Sequence, residues 1–143
     1  MTVHSILTRK GSTVCIIEPT ASLAEAAKSL AHHGIGALVV MGAEGQTVGI
    51  ISERDIVRAL SAMGRAALEM PVAEIMTRKV TTCSRNDKLV DLMRRMTEGK
   101  FRHFPVIEEG RLVGIVSIGD VVKSRLEELE QESNALREYI RSP

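Results

Sequence analysis

Two short stretches of the chain place a hydroxyl and a carboxylate at the same spacing. GIISERD, residues 49–55, carries Ser52 and Asp55; GIVSIGD, residues 114–120, carries Ser117 and Asp120. In each, two β-branched residues after a glycine favour an extended strand. The serine then stands where strand turns into helix, and the free backbone N–H groups at such a helix start favour an anion. The aspartate follows one turn later. A carboxylate there accepts hydrogen bonds from two neighbouring hydroxyls, as acidic residues do for ribose in dinucleotide folds. Together these groups suit a ribose with a phosphate close by. The same spacing is also an ordinary helix cap with an acidic first turn, worth about 1 kcal/mol. A duplication would copy a cap as faithfully as a site.

Duplication is visible along most of the chain. LAEAAKSL (23–30) recurs as LVDLMRRM (89–96), residues 35–40 recur as 101–106, and ILTRK (6–10) recurs as IMTRK (75–79). Such self-similarity is the mark of a repeated structural unit. In the first copy TVCII reads as a strand. Ser22 and Glu25 form a capping-box pair before Leu23, Ala26, Ala27 and Leu30, which recur at helical spacing, and Gly34 stops that helix. ALVVM and TVGII form a hairpin about GAEGQ. A second helix starts at Ser52, with Ile56, Val57 and Leu60 expected on its inner face and Gly64 as its C-cap. In the second copy VTTC is a strand and 88–99 a helix. FPVI and RLVGIVS form a hairpin, and a helix starts near 117–120.

Each half is therefore β-α-β-β-α, an α/β chain of α+β-like character. The expected boundaries are repeat 1 at 3–64, a connector at 65–71, repeat 2 at 72–127 and a C-terminal amphipathic extension at 128–143. Each half is small enough to need the other for a sufficient core. From Val121 onward the chain reads as one long amphipathic helix running past the repeat, with Leu126, Leu129, Leu136, Tyr139 and Ile140 among many Glu and Arg residues. Its apolar stripe needs a partner, either the body of the chain or the same helix in a second copy.

Composition narrows the functional classes. The 19 basic and 18 acidic residues nearly cancel, against the basic excess of a generic nucleic-acid binder. No apolar run is long enough for a membrane span. MTVHSILTRK has neither the charged nor the apolar region of a signal peptide, so a cytoplasmic protein is expected. Cys15 and Cys83 stand outside any metal or redox spacing and read as reduced, buried small hydrophobes. No His/Cys/Asp/Glu grouping has metal spacing. His103 has no legible nucleophile and orienting partner beside it, so no catalytic residue and no enzyme activity are expected. The two TRK triplets (8–10 and 77–79) read either as groups at a binding cleft or as solvated basic turns.

Both halves resemble the CBS domain, named for cystathionine beta-synthase. The heptads match its G-h-h-[ST]-x-x-D signature, where h is apolar. VCIIEPTASLAEAA is similar to the family's opening stretch, and KFRHFPVIEEGRLVGIVSIGD to its central one. The resemblance runs from about Val3 to about Glu127. It implies two repeats packed through their sheets with pseudo-twofold symmetry and two clefts that bind adenine nucleotides: AMP first, with ADP, ATP, NAD(H) or S-adenosylmethionine as other members of the class. It implies that the heptad Asp takes the ribose hydroxyls, and that such pairs often form homodimers regulating a partner protein. By the family pattern Ser52 and Asp55 would face Thr82, Arg102, His103, Phe104 and Pro105, with Val80, Phe104, Val106 and Ile107 as apolar walls. Ser117 and Asp120 would face Ile16, Gly36, Ala37 and Leu38. Arg54, Arg102 and His103 would make the Asp55 cleft the stronger phosphate site. The Asp120 cleft shows no basic contact in the sequence.

Overall fold

The computed structural model describes residues 1–142; Pro143, the last residue of the expected extension, lies outside the described residues. The chain forms two compact units that do not follow its order. One is Thr13–Thr81; the other joins Met1–Ser12 to the chain from Thr82 onward.

The Thr13–Thr81 unit holds β1 (Ile16–Ile17), α2 (Leu23–His33), β2 (Ala37–Met41), β3 (Thr47–Ser52), α3 (Glu53–Met63), a 3-10 stretch (Gly64–Glu69) and the short α4 (Val72–Ile75). The sheet order is β1-β2-β3, with β1 parallel to β2 and β2 antiparallel to β3. The expected capping box forms: Ser22 Oγ accepts from the Glu25 N–H at 3.1 Å, and the Glu25 carboxylate accepts from the Ser22 N–H at 3.3 Å. Gly34 ends α2 in the left-handed region, φ 62°, where a residue with a Cβ is disfavoured. Leu23, Ala26 and Leu30 pack with Leu38, Val40, Ile51, Ile56, Ala59, Ala67, Val72 and Met76. The 65–71 stretch packs into this core through Ala67, which is fully buried.

The second unit holds α1 (Val3–Lys10), α5 (Leu89–Gly99), β4 (His103–Glu108), β5 (Arg111–Ser117) and α6 (Ile118–Arg141). β4 and β5 form an antiparallel hairpin, and Cys83 bridges in parallel to Val106 where β1 stands in the other unit. The core joins Val3, Ile6 and Leu7 of α1 to Leu89, Leu92, Met96, Phe104, Val106, Val116 and Val121. The aliphatic composition explains how this core closes: Phe104 is its one large ring. It is fully buried, with Phe101 edge-on at 4.9 Å and the Arg95 guanidinium 4.7 Å above it.

Two expectations change. The VTTC strand reduces to the single Cys83 bridge. Val57 is 64% exposed and Leu60 36%, while Ala59 is buried beside Ile56; α3 turns its inner face by about one residue because Ile56 and Ala59, three apart, lie on one side of a 3.6-residue helix. The long C-terminal helix forms as expected, α6 running unbroken from the Ser117 cap to Arg141.

The leading glycine of each heptad marks a close crossing. A Cβ at Gly49 would stand 2.6 Å from Met76 Sδ and 2.9 Å from the Thr77 carbonyl oxygen; a Cβ at Gly114 would stand 2.6 Å from Leu7 Cδ2. Leu7 and Met76 occupy the same place in LTRK and MTRK. In each unit the stretch preceding a TRK triplet lies over the glycine of one heptad. In the first 81 residues, strand β3 thereby meets the segment after α4, with Ile50 and Thr77 exchanging both backbone hydrogen bonds at 3.0 and 2.9 Å.

Candidate functional site

Both heptads are complete capping boxes. In α3 the Ser52 Oγ accepts from the Asp55 N–H at 3.3 Å, while Asp55 Oδ2 accepts from the Ser52 N–H at 2.9 Å and from its hydroxyl at 3.1 Å. In α6 Ser117 Oγ accepts from the Asp120 N–H at 3.1 Å, and Asp120 Oδ2 accepts from the Ser117 N–H at 2.9 Å. The β hairpins pair Ala37 with Ser52 and His103 with Ser117, each within its own unit, whereas the family pattern set His103 against Ser52 and Ala37 against Ser117. The first helical N–H after each serine returns to the strand, Glu53 to the Gly36 carbonyl at 3.0 Å and Ile118 to the Arg102 carbonyl at 2.8 Å.

The two carboxylates differ outside the cap. Among the described residues, Asp55 Oδ1 accepts only the Thr77 hydroxyl, at a long 3.4 Å. Asp120 Oδ2 accepts the Lys10 ammonium at 2.7 Å. The sequence reading gave the Asp120 side no basic contact; the structure places Lys10 there, because α1 joins the unit of the second repeat although it precedes the first in the chain. The TRK residues are exposed, yet most of them have partners in the fold. Thr77 and Lys10 each touch a heptad carboxylate, Arg78 donates to the Ala73 carbonyl at 2.7 Å, and Arg9 pairs with Glu127. These partners were absent from the expected site list, and the signal for them was the recurrence of TRK itself.

Burial pushes the Asp120 carboxyl up. The Lys10 ammonium and the Ser117 backbone and hydroxyl more than offset this and hold it below its ordinary value of 3.8. A depressed carboxylate contributes stability that is fully present above its unfolded value and lost as pH falls through the lower folded one. Lys10→Met should therefore lower stability at pH 7 by roughly 0.5 kcal/mol, a partly exposed pair being worth little more. The difference from the parent should close below pH 4 in urea unfolding followed by circular dichroism.

The remaining expected residues divide between the units. Ile16, Gly36, Ala37, Leu38, Ser52, Arg54, Asp55 and Val80 lie in the first; Thr82, Arg102, His103, Phe104, Pro105, Ser117 and Asp120 lie in the second. Arg54, Arg102 and Thr82 are exposed, His103 and Val80 half-buried, and Ile16 56% exposed. The side chains of Leu38, Phe104 and Val106 are fully buried in the cores of their own units, so these positions have backbone rather than side chain to offer a ligand. The Thr82 carbonyl is taken by Arg95 at 2.7 Å.

The cysteines also part company. Burial pushes the Cys83 thiol up to about 12, with Asp87 and Glu108 adding to the rise and Arg95 opposing it. Cys15, at the equivalent strand, is only half-buried. Ellman's reagent at pH 8 should titrate one thiol quickly and the second only on unfolding, and Cys15→Ser should remove the fast phase.

The CBS domain family model matches residues 5–62 and 72–127. The chain belongs to the CBS domain family, as two tandem repeats. The mitochondrial CBS domain-containing protein CBSX3 of Arabidopsis thaliana is 35% identical, across 97% of this chain and 71% of that protein. A CBS-domain containing protein from Agrobacterium tumefaciens, solved by crystallography, is 48% identical with a TM-score of 0.85, covering 87% of this chain and 92% of that one. The CBS domain pair of protein MJ0100, 32% identical with a TM-score of 0.75 over 91% of this chain and 98% of that one, was solved in complex with 5'-methylthioadenosine and S-adenosyl-L-methionine. Among the described residues no helix is long and apolar enough to cross a membrane.

Proposed function

We propose that this CBS pair is a regulatory module that binds an adenine nucleotide, AMP foremost, and passes the bound state to a partner protein. The observation that carries the reading is Asp55. The cap bonds fall on its Oδ2, and among the described residues its Oδ1 meets a single long hydroxyl contact, so it has capacity for the ribose hydroxyls that a carboxylate accepts well. The MJ0100 complex, with two adenosine-containing ligands on a pair of the same fold, supports the adenosine class. On this reading Ser52 and Asp55 hold the ribose, and Arg54, Arg102 and His103 supply the phosphate contacts expected from the family pattern. Asp120, already paired with Lys10, takes a second ligand less readily. The protein works as a homodimer in the reducing cytoplasm, in keeping with two unpaired cysteines, and it catalyses nothing itself.

A second reading has its own observation. Both heptads form full capping boxes, which is all a scaffold that binds no nucleotide would need. Thermal unfolding separates the two. A ligand that binds only the folded state stabilises it by RT ln(1 + [L]/Kd). The sensor reading expects the midpoint to rise with AMP, ATP or NADH at millimolar concentration; an unmoved midpoint with all three would leave the scaffold.

A further inference from the structure

Helix α6 carries an apolar stripe that its own unit does not cover. Val121 and Ser124 are buried against that unit, but Val122, Leu126, Leu129, Leu136 and Ile140 are 40, 61, 44, 59 and 71% exposed. A shallow groove runs beside Val122 and Leu126. These residues, with Ser133, recur at alternating spacings of four and three, the 3.5-residue period of a coiled-coil seam. Leu126, Ser133 and Ile140 take the a positions; Val122, Leu129 and Leu136 take d. From 129 to 141 every residue is exposed, and a helical segment of that length is marginal in water without a partner.

The flanking charges choose the occupant. With this register Arg125 and Glu132 are g residues and Glu130 and Arg137 are e residues. In a parallel pair each g residue meets the e residue five positions on in the other helix. Arg125 would then meet Glu130 of a second copy, and Glu132 would meet Arg137. Both rungs are attractive. Arg125 already has Glu128 on its own helix, whereas Glu132 and Arg137 have no ion-pair partner among the described residues. Leucine at the later d positions and one small polar residue at an a position suit a two-stranded, in-register pair.

We propose that residues 122–140 of α6 form a parallel two-stranded coiled coil with the same helix of a second copy. This rests on the homodimer reading above and adds its interface, direction and register.

The test uses the full chain. Light scattering gives the mass of the parent protein, and Leu136→Cys in a Cys15→Ser background is oxidised and read on a non-reducing gel. Parallel pairing brings the two d positions of one layer face to face, so a dimer with an efficient L136C cross-link is expected. A dimer that does not cross-link would overturn the parallel seam and leave the homodimer standing. A monomer at 100 µM, a concentration set by the experiment, would overturn both. Charge exchange gives an independent arm. Arg137→Glu sets like charges on the second rung and should weaken the dimer about tenfold, and adding Glu132→Arg should restore it. An R137E dimer as tight as the parent would overturn the register. Nucleotide binding enters neither arm.

Discussion

Asp55→Asn is expected to lower affinity for AMP by roughly 10- to 100-fold, the size of one or two lost hydrogen bonds to a charged group, while Asp120→Asn lowers it less than about threefold. The difference follows from what each carboxylate is doing. Asp55 uses Oδ2 for its cap and leaves Oδ1 with one weak hydroxyl contact. Asp120 shares its charge with Lys10 at 2.7 Å, and a ribose would have to compete with an ammonium. Asparagine is the informative substitution. Its side-chain oxygen still accepts from the Ser52 N–H, so the cap survives and the midpoint of thermal unfolding should fall by no more than a cap is worth, about 1 kcal/mol. Loss of binding with a nearly unchanged midpoint places the effect in the site. Equal losses from both variants would contradict the asymmetry.

Gly49→Ala should cost about 1–3 kcal/mol, the range for forcing an atom into a packed region, and Gly114→Ala less than about 1 kcal/mol. The two glycines hold the same place in their heptads, but their neighbours differ in kind. A Cβ at Gly49 meets the Thr77 carbonyl oxygen at 2.9 Å as well as Met76 Sδ at 2.6 Å. That oxygen is fixed by the hydrogen bond from the Ile50 N–H, so backbone must move. A Cβ at Gly114 meets only Leu7 side-chain atoms, which can change rotamer. Denaturant midpoints of the two variants at constant slope give the comparison. Gly49→Ala should also loosen Thr77 from Asp55, so its effect on nucleotide affinity should exceed that of Gly114→Ala.

These residues show what could be read from the chain and what could not. The S-x-x-D spacing, the Ser22–Glu25 box and the left-handed Gly34 are local features, each set by a few neighbouring backbone groups, and all form as their residue types require. The hairpins follow from apolar runs of strand length on either side of a turn. A glycine at the head of each heptad permits a close approach, but the chain does not say what approaches it. That depends on α1 leaving its neighbours in the chain to join the second repeat, a choice made by the burial of Val3, Ile6 and Leu7 against Leu89, Leu92 and Phe104. Lys10 reaches Asp120 for the same reason, and sequence adjacency concealed it. The face of α3 was misread at Val57 and Leu60 because a short helix with few apolar residues fits two stripes one position apart, and only packing decides between them.

The central claim is that a carboxylate of the first heptad holds the ribose of an adenine nucleotide. Calorimetric titration of the purified, ligand-stripped protein with AMP and with 2',3'-dideoxy-AMP tests it most directly, since the two differ only in the hydroxyls that Asp55 would accept. Saturable binding of AMP is expected, with the dideoxy compound at least about tenfold weaker, the loss of one charge-assisted hydrogen bond. Equal affinities, or no heat with either compound, would contradict the account.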